Sequence, residues 1–349
     1  MARDHSDTPR LCAQPPPIPI ALPAGLSPRR EFAIRLVKNK WVNGTLLHYH
    51  FLADRRWDWT VDQMDVVRWA FGVWKGLGIG LSFVEVTDPG EAELRIGFDQ
   101  TDGSWSYVGT DVLKAPAAEP TMNYGWDLNS DWGKATALHE IGHALGMPHE
   151  HQNPLSGIVW NDDAVYDTFS APPNGWSRDM IFSNILRKIP RSDVEGSAWD
   201  PHSIMHYPFA PGLIKAPQQY NRDGIGENTE LSGNDRTWIQ RFYPAGAQTV
   251  PIGVLDLKTL SSEVGAQSDF VFDPPDTRAY TIQTVGTSDI KVVLFEERAG
   301  KPRHMIAEDD SGEEANGVIV AQLIKGRRYF LRARTHFVTG PAGTGLLVF

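Results

Sequence analysis

Three histidines and a glutamate lie within the segment HEIGHALGMPH, residues 139–149. His139 and His143 are four residues apart, so on a helix they share one face and both imidazoles can reach a single ion at about 2.0–2.1 Å. Glu140 is one residue further along, so its carboxylate is placed to hold a water activated by the metal rather than the metal itself. Zinc lowers the pKa of such a water to about 7, and a neighbouring carboxylate can take its proton and later pass it to a leaving amine. These residue types indicate the hydrolysis of peptide bonds.

Gly146 and Pro148 predict how the third histidine reaches the same ion. A helix that continued straight would carry His149 away, whereas a glycine accepts the left-handed turn that brings the chain back, and Pro148 prevents the helix from resuming. Three histidines leave one coordination position for water or substrate, which is typical of a catalytic zinc site. The alternatives are a chance HExxH on a surface helix and a degenerate relative that kept the letters. A glycine and a third histidine at fixed offsets make a chance match rare.

The full signature, HExxHxxGxxH, resembles the long zinc motif of the metzincins, and the residue after it, Glu150, resembles the astacin branch of that clan. A second segment, SIMHY at residues 203–207, is similar to the astacin Met-turn. The resemblance implies that Met205 forms a hydrophobic floor beneath the zinc. It also implies that Tyr207 is a switchable fifth zinc ligand, which swings away when substrate binds and helps to stabilise the developing oxyanion.

In astacins the residue at the position of Glu150 binds the buried N-terminus of the mature enzyme, which here would depend on processing of the N-terminal arm, for example near Arg29–Arg30. The alternative for Glu150 is a solvated surface carboxylate. WSYVG at residues 105–109 is a third match, and the resemblance extends over about residues 32–243. The chain lacks the two usual disulfides, because Cys12 is its only cysteine, and this fits a microbial variant. A metzincin of another branch is the runner-up.

The family implies an α+β fold with a two-lobed catalytic domain, in which a twisted mixed sheet and two helices carry the metal site. A more irregular lower lobe would begin after Gly146, and a substrate would lie extended along an edge strand. Hydrophobic periodicity predicts the elements independently. They are strands at 32–36, 46–51, 81–86 and 93–98, the last half-buried, and helices from Thr60 to Gly76 and at 130–144, 181–189 and 235–242.

Composition divides the chain into three parts. Residues 1–30 are rich in proline and polar residues and predict a flexible arm or pro-segment. The resemblance implies that residues 31–245 are the catalytic domain, and residues 244–253 have the composition of a linker. Residues 254–349 contain short strand-like runs broken by turn residues, which predict a small all-β sandwich. This part loosely resembles the pre-peptidase C-terminal domain of secreted bacterial peptidases, which implies an accessory role.

Cys12 lies in the predicted arm. A thiolate is a good zinc ligand at about 2.3 Å, and some metzincins are kept latent by a pro-segment cysteine at the open zinc position. We therefore hypothesise that Cys12 occupies that position until the arm is cut; the alternative is a free thiol in a disordered arm. In the C-terminal part, Glu308, Asp309 and Asp310 offer hard oxygen ligands for calcium, with a solvated acidic turn as the alternative.

The formal net charge of −10 has the opposite sign from that of nucleic-acid binders, so we expect no nucleic-acid partner. The sequence contains no apolar run of about 18 residues that would span a membrane. We expect a monomer that acts on protein or peptide substrates with one catalytic Zn²⁺ ion. The family implies secretion, although the polar residues 1–10 and the proline-rich residues 15–26 do not resemble a signal peptide.

Three hypotheses about function follow from these features. The first is a zinc-dependent endopeptidase in which Glu140 is the general base and then the general acid. The second is a zinc-binding protein of the same fold that has a binding role and little turnover. The third is an adhesive protein in which the C-terminal sandwich matters most. The presence of Glu140 favours the enzyme.

Overall fold

A computed structural model describes residues 9–16, 39–52, 60–191, 198–246, 248–297, 303–309, 316–338 and 343–349. Within these residues the chain forms helices, a mixed sheet and a strand-rich C-terminal part, so the expected α+β class is confirmed. The predicted strand at 32–36 and most of the predicted arm lie outside the described residues. No helix of the described segments is long and apolar enough to cross a membrane.

The expected upper lobe contains a five-stranded sheet with the order β2-β1-β3-β5-β4. Its strands are β1 (Leu46–Phe51), β2 (Ser82–Glu85), β3 (Leu94–Gly97), β4 (Trp105–Ser106) and β5 (Met122–Asn123). The first four strands in this order pair in parallel, and the edge strand β4 is antiparallel to β5. The sheet is therefore mixed, as predicted.

Strand β3 differs from the half-buried strand that its alternating residues predict. All four of its residues are buried, including Arg95, which is 6% exposed. The guanidinium of Arg95 donates to the carbonyls of Ala92, Pro116 and Glu119 at 3.2, 3.0 and 2.7 Å. The prediction of a half-buried strand is therefore wrong. Three backbone carbonyls accept hydrogen bonds from the guanidinium, so this arginine can lie on a buried face of the sheet.

Two helices share a hydrophobic core with this sheet. Helix α1 (Val61–Gly76) ends at the predicted glycine and buries an apolar face: Val67, Ala70, Phe71 and Trp74. Helix α2 (Asp131–Ala144) begins at Ser130, whose hydroxyl accepts a hydrogen bond from Gly133 N at 3.0 Å. The Trp74 indole joins the two helices by donating to Leu138 O at 3.1 Å.

The chain beyond Gly146 forms shorter elements, as expected for the lower lobe. They are β6 (Val159–Trp160), α3 (Asp162–Ser170), α4 (Arg178–Ile181), β7 (Ile214–Ala216), α5 (Gln218–Asp223) and α6 (Gly233–Phe242). The predicted helix at 181–189 is instead α4 followed by a π-helical stretch, Phe182–Leu186, so it begins and ends three residues early. Pro190 is one reason for the early end, because the residue before a proline avoids the helical conformation.

The C-terminal part forms two sheets that share one hydrophobic core, which fits the predicted sandwich. Its strands are β8 (Val250–Pro251), β9 (Lys258–Thr259), β10 (Gln267–Phe272), β11 (Arg278–Val285), β12 (Asp289–Glu297), β13 (Arg303–Asp309), β14 (Val318–Leu323), β15 (Arg328–Phe337) and β16 (Gly345–Val348). The sheet orders are β13-β12-β15-β10-β8 and β14-β11-β16-β9. Strand β8 lies within the predicted linker and pairs in parallel with β10.

A short segment, residues 40–43, connects the C-terminal part to the zinc-signature helix. Arg334 of β15 donates to the carbonyls of Lys40 and Trp41 at 2.9 Å each. The indole N–H of Trp41 donates in turn to the carbonyl of Ala144, the last residue of α2, at 2.9 Å. The C-terminal part therefore holds the segment that braces the end of α2.

We expect Arg334→Ala to lower the free energy of unfolding by about 3 kcal/mol, because each hydrogen bond from a charged donor contributes about 1.5–3 kcal/mol and Arg334 is 2% exposed. Urea unfolding followed by tryptophan fluorescence measures this change. The control is Arg328→Ala on the same strand, whose side chain is 56% exposed and should contribute less than about 1 kcal/mol. Equal effects of the two variants would contradict the bracing role of Arg334.

Candidate metal centre

Helix α2 presents two of the signature histidines on one face, as their spacing predicts. The helix ends at Ala144, and Gly146 follows with a φ of +94°, a backbone conformation that residues with a side chain rarely adopt. The turn is closed by a hydrogen bond from Met147 N to Gly142 O at 3.0 Å. This reversal of the chain brings His149 back towards the helix.

The structure brings four potential metal ligands together. One ligand atom from each of Cys12, His139, His143 and His149 lies within 4.8 Å of the others, and all four residues are buried. They come from three parts of the chain: the N-terminal arm, α2 and the loop after α2. Three imidazoles and one thiol, all side chains that Zn²⁺ prefers, thus converge at one point.

Backbone carbonyls orient two of these imidazoles. His139 Nδ1 lies 2.7 Å from Ile204 O, and His143 Nδ1 lies 2.7 Å from Met147 O. Since each Nδ1 must donate to its carbonyl, each Nε2 carries a lone pair. Within the described part of the chain, His139 Nε2 has no hydrogen-bond partner, and His143 Nε2 lies 3.1 Å from His149 Nε2. Buried lone pairs that face a common point are satisfied by a cation, so these residues fit a zinc ion.

Burial keeps the imidazoles neutral. It lowers the pKa of His139 to about 4 and holds the pKa values of His143 and His149 well below their usual value. Only a neutral imidazole can bind a metal. Burial and the nearby Glu140 raise the pKa of the Cys12 thiol well above its usual value, so a cation beside this thiol is needed to form the thiolate at neutral pH.

Glu140 lies beside the ligand cluster and is fully buried. Its Oε2 accepts a hydrogen bond from the Cys12 thiol at 3.5 Å, whereas its Oε1 has no partner among the described residues. Burial raises the pKa of Glu140 to about 8. A carboxylate next to the metal ligands, with one oxygen unpaired, has the position that the sequence predicts for a general base.

Met205 is 1% exposed and packs against helix α2 at Gly142, where a Cβ atom would lie 2.5 Å from its sulfur. Asp235 holds the same turn, because its carboxylate accepts hydrogen bonds from Ser203 Oγ at 2.6 Å and from Ile204 N at 2.8 Å. Sequence reasoning missed Asp235. Asp235 also belongs to the capping box at the start of α6. The sequence pattern of a capping box predicts the start of a helix, but it does not predict the additional hydrogen bonds from Ser203 and Ile204.

Comparison with known proteins assigns the family. The family model for matrixin matches residues 40–156, which include the zinc signature. The solved structure of myroilysin is 33% identical to this chain, with a TM-score of 0.54, over 60% of this chain and 98% of that one. This chain is a metzincin. Metzincins are zinc metallopeptidases, so zinc is the ion that the family implies.

Two curated relatives are also similar to part of this chain. Karilysin from Tannerella forsythia is 27% identical over 164 residues, which cover 38% of this chain and 34% of karilysin. Matrix metalloproteinase-20 from Homo sapiens is 26% identical over 199 residues, which cover 52% of this chain and 39% of that protein. The chain therefore spans less than half the length of these relatives. The matching family model is matrixin and ends before the Met-turn, so the astacin-like branch stays a prediction.

Tyr207 of this metzincin lies beside the ligand cluster, with its ring centroid 4.3 Å from that of His149. Its hydroxyl donates a hydrogen bond of 2.5 Å to the backbone carbonyl of Cys12. Burial and the neighbouring Cys12 and Glu140 raise the pKa of Tyr207 well above its usual value. Tyr207 is therefore a protonated donor aimed at a peptide carbonyl next to the metal ligands.

Glu150 fastens the loop of the third histidine to the Met-turn. Its backbone N–H donates to Met205 O, and its carboxylate accepts from Asp200 N and Asn153 Nδ2, each at 3.0 Å. Burial raises its pKa to about 7, so Glu150 differs from a solvated surface carboxylate. The residues that would follow a cut near Arg29–Arg30 lie outside the described residues, so a bond from Glu150 to a new N-terminus stays a prediction.

Residues 9–16 of the arm lie against the metal site. Leu11 and Cys12 are 4% and 5% exposed, which differs from the flexible arm that composition predicts for the whole of residues 1–30. Ala13 N donates to Ser104 O at 2.8 Å, directly before β4. Composition could not reveal this burial, because the partners of the arm lie far away in the sequence.

A cavity of about 30 Å³ lies beside Cys12 and Glu140. Trp132 and Thr136 from the first turns of α2 and Pro208 from the segment after the Met-turn are among its walls. A cavity of this size holds about one water molecule. The arm thus leaves little space next to Glu140.

The C-terminal sandwich is not assigned by comparison. The pre-peptidase C-terminal domain of a collagenase from Bacillus anthracis matches 30% of this chain at 14% identity and a TM-score of 0.25, which is too low to place the sandwich in that class. The side chains of Glu308 and Asp309, and the whole of Asp310, lie outside the described residues. Calcium binding therefore stays a prediction.

Proposed function

We propose that this metzincin is a zinc-dependent endopeptidase that cuts protein substrates and is kept latent by its N-terminal arm. The observation that carries the proposal is the convergence of three buried imidazoles on one point with the carboxylate of Glu140 beside them. Zinc held by His139, His143 and His149 would supply Lewis acidity, which acidifies a water molecule and polarises the scissile carbonyl.

Glu140 carries the proton transfers in this proposal. It takes a proton from the attacking water and returns it to the leaving amine. Among the residues that the structure describes, its Oε1 has no partner, and its Oε2 accepts a hydrogen bond only from the Cys12 thiol. Departure of the arm therefore makes both oxygens available for this role.

Tyr207 stabilises the developing oxyanion by donating a hydrogen bond. The support is that its hydroxyl already donates to a peptide carbonyl, that of Cys12. A role as a fifth zinc ligand after the arm departs is part of the same proposal. Met205 supports the site from below through its packing on Gly142.

A protein substrate would take the place of the arm. Ser104 O, which now accepts from Ala13 N, offers the substrate the same backbone contact, so the segment next to WSYVG borders the cleft. Departure of the arm would remove Leu11 and Cys12 from the walls of the cavity near Trp132 and Thr136. The enlarged space would receive one substrate side chain. Secretion is the location that fits a peptidase of this family.

Cys12 would hold the enzyme latent as the fourth zinc ligand. Its Sγ lies within 4.8 Å of the ligand nitrogens of all three histidines, and three nitrogens with one sulfur form a closed tetrahedral set. Such a set leaves no position for water. Cleavage of the chain after the arm, for example near Arg29–Arg30, would release the thiolate.

The astacin-like branch is the finer proposal for the lower lobe. It is supported by Tyr207, whose hydroxyl donates to the Cys12 carbonyl of the arm, and by the half-buried Glu150, whose backbone N–H donates to Met205 O of the Met-turn. Binding without turnover is the second candidate function. Oε1 of Glu140, which has no partner in the described segments, favours the enzyme, because a site that only binds zinc does not require a buried carboxylate beside the ligands.

The test is cleavage of casein after the arm has been removed by limited proteolysis. We expect turnover to fall to background when a chelator removes the metal and to return with one equivalent of Zn²⁺. Mg²⁺ is the control, since it prefers oxygen ligands and should not restore activity at this nitrogen site. Turnover that persists in chelator, or its absence in zinc-loaded and arm-free protein, would contradict the proposal.

A further inference from the structure

We propose that Asn174 is a peptide-backbone clamp of the active-site cleft, which holds the arm in the latent protein and the main chain of the substrate in the active one. This inference rests on the proposed function, because it assumes that a peptide replaces the arm. Asn174 lies in the lower lobe, between α3 and α4, and no signature residue lies within twenty positions of it.

The side-chain amide of Asn174 makes two hydrogen bonds to the arm. Its Oδ1 accepts from Leu11 N at 3.0 Å, and its Nδ2 donates to Pro9 O at 3.0 Å. In a parallel sheet, one residue accepts from the N–H of residue i+1 of its neighbour and donates to the carbonyl of residue i−1. Asn174 reproduces that pattern around Arg10, so its amide acts as one residue of a parallel strand.

These contacts do not depend on which side chains the bound segment carries. Both bonds go to the backbone, and the side chain between them, that of Arg10, is exposed. Two residues further on, the arm donates from Ala13 N to Ser104 O. The arm is therefore held by its main chain on both sides of Cys12, as a peptide of another sequence would be.

The loop around Asn174 is built to hold this amide in place. Gly175 has a φ of +62° and donates to Ala171 O at 3.0 Å. Trp176 N donates to Phe169 O at 2.9 Å, and both aromatic rings are buried. A side chain on such a closed loop loses little freedom when it binds a peptide, which favours binding.

The experiment measures two quantities in Asn174→Ala and Asn174→Asp. The first is the rate at which a thiol reagent labels Cys12 in the intact chain. The second is KM and kcat of the arm-cleaved enzyme on a peptide, together with versions of that peptide methylated at one backbone nitrogen at a time. Asp retains the acceptor for an N–H and loses the donor, so it keeps the test meaningful if Ala disturbs the loop. Ser170→Ala is the matched control, since this exposed hydroxyl bonds only to Asp167 O within α3 among the described contacts.

We expect Asn174→Ala to label Cys12 about tenfold faster and to raise KM about tenfold, because two backbone hydrogen bonds are lost. Asn174→Asp should lie between Ala and wild type, and kcat should change less than about twofold. Methylation of one particular backbone nitrogen of the peptide should weaken its binding to the wild-type enzyme. The same methylation should not weaken binding to Asn174→Ala any further, since the methyl group and the substitution remove the same hydrogen bond.

Unchanged labelling and unchanged KM would overturn the clamp. Faster labelling with an unchanged KM would also overturn it, because Asn174 would then hold the arm alone. If the arm-free protein showed no zinc-dependent turnover, the proposed function would fail. Binding of the unmodified and N-methylated peptides, measured by fluorescence anisotropy, would then still decide whether Asn174 grips a peptide backbone.

Discussion

The variant Glu140→Ala is expected to lower kcat of the arm-free enzyme by about 10²–10⁴-fold, because a positioned general base and acid contributes that much to proton transfer. Zinc content should not change, since the cluster of ligand atoms comprises Cys12 and three histidines and does not include Glu140. Casein cleavage and elemental analysis of the same preparations measure the two quantities together.

Two further variants separate catalysis from folding. Glu140→Gln keeps the size and the hydrogen-bonding capacity of the buried side chain but cannot accept the proton, so it should be as inactive as Ala. Glu230→Ala removes an exposed carboxylate and should retain full activity. An active Glu140→Gln would show that the carboxylate is not the base, and loss of zinc in either Glu140 variant would show that its role is structural.

The variant Cys12→Ala is expected to make the intact chain active without cleavage. Removing the thiol opens the fourth ligand position and frees Oε2 of Glu140. Turnover of the uncleaved protein should therefore rise by at least about tenfold, which corresponds to about 1.4 kcal/mol. Activation should stay below that of arm-cleaved enzyme, since Ser104, Asn174 and Tyr207 still hold the backbone of the arm.

Arg10→Ala is the matched control within the arm, because this exposed side chain is next to the contacts of the arm backbone but contributes no ligand. It should remain latent. Casein turnover by the intact chain, with gel analysis to show that no cleavage occurred, provides the measurement. Cys12→Ala that stays as latent as wild type would remove the thiol from the mechanism and leave the backbone contacts of the arm as its cause.

Local spacing predicted the parts of the site that lie within one element. The four-residue offset of His139 and His143 placed both on one face of α2, and Gly146 at φ +94° makes the turn that its type suggested. Strands β1, β2 and β3 and helices α1 and α2 of the upper lobe were predicted for the same reason, since periodicity of 2 or 3.6 residues is a local signal. Strands β4 and β5 have two residues each, which is too short to show such a period, and they were not predicted.

Contacts between distant residues could not be predicted. Asn174 bonds residues 163 and 165 positions away, and Arg334 bonds carbonyls 293 and 294 positions away. No spacing rule links such pairs, because the fold alone brings them together. The same holds for Arg95, whose burial depends on carbonyls supplied by neighbouring loops.

Composition was misleading for the arm. Prolines and polar residues predict a flexible segment, yet Leu11 and Cys12 are buried among residues of the lower lobe. A few apolar side chains that pack into a cleft are enough to hold a short segment of the arm in one position. Composition averaged over thirty residues does not reveal these few side chains. The same averaging extended the linker over Val250–Pro251, which pair with β10.

X-ray absorption at the zinc edge, on purified intact protein, tests the central claim most directly. We expect one zinc per chain, with three imidazole nitrogens at about 2.0–2.1 Å and one sulfur at about 2.3 Å, and replacement of the sulfur by an oxygen in Cys12→Ala. Absence of bound zinc, or a zinc with fewer than three nitrogen ligands, would contradict the account.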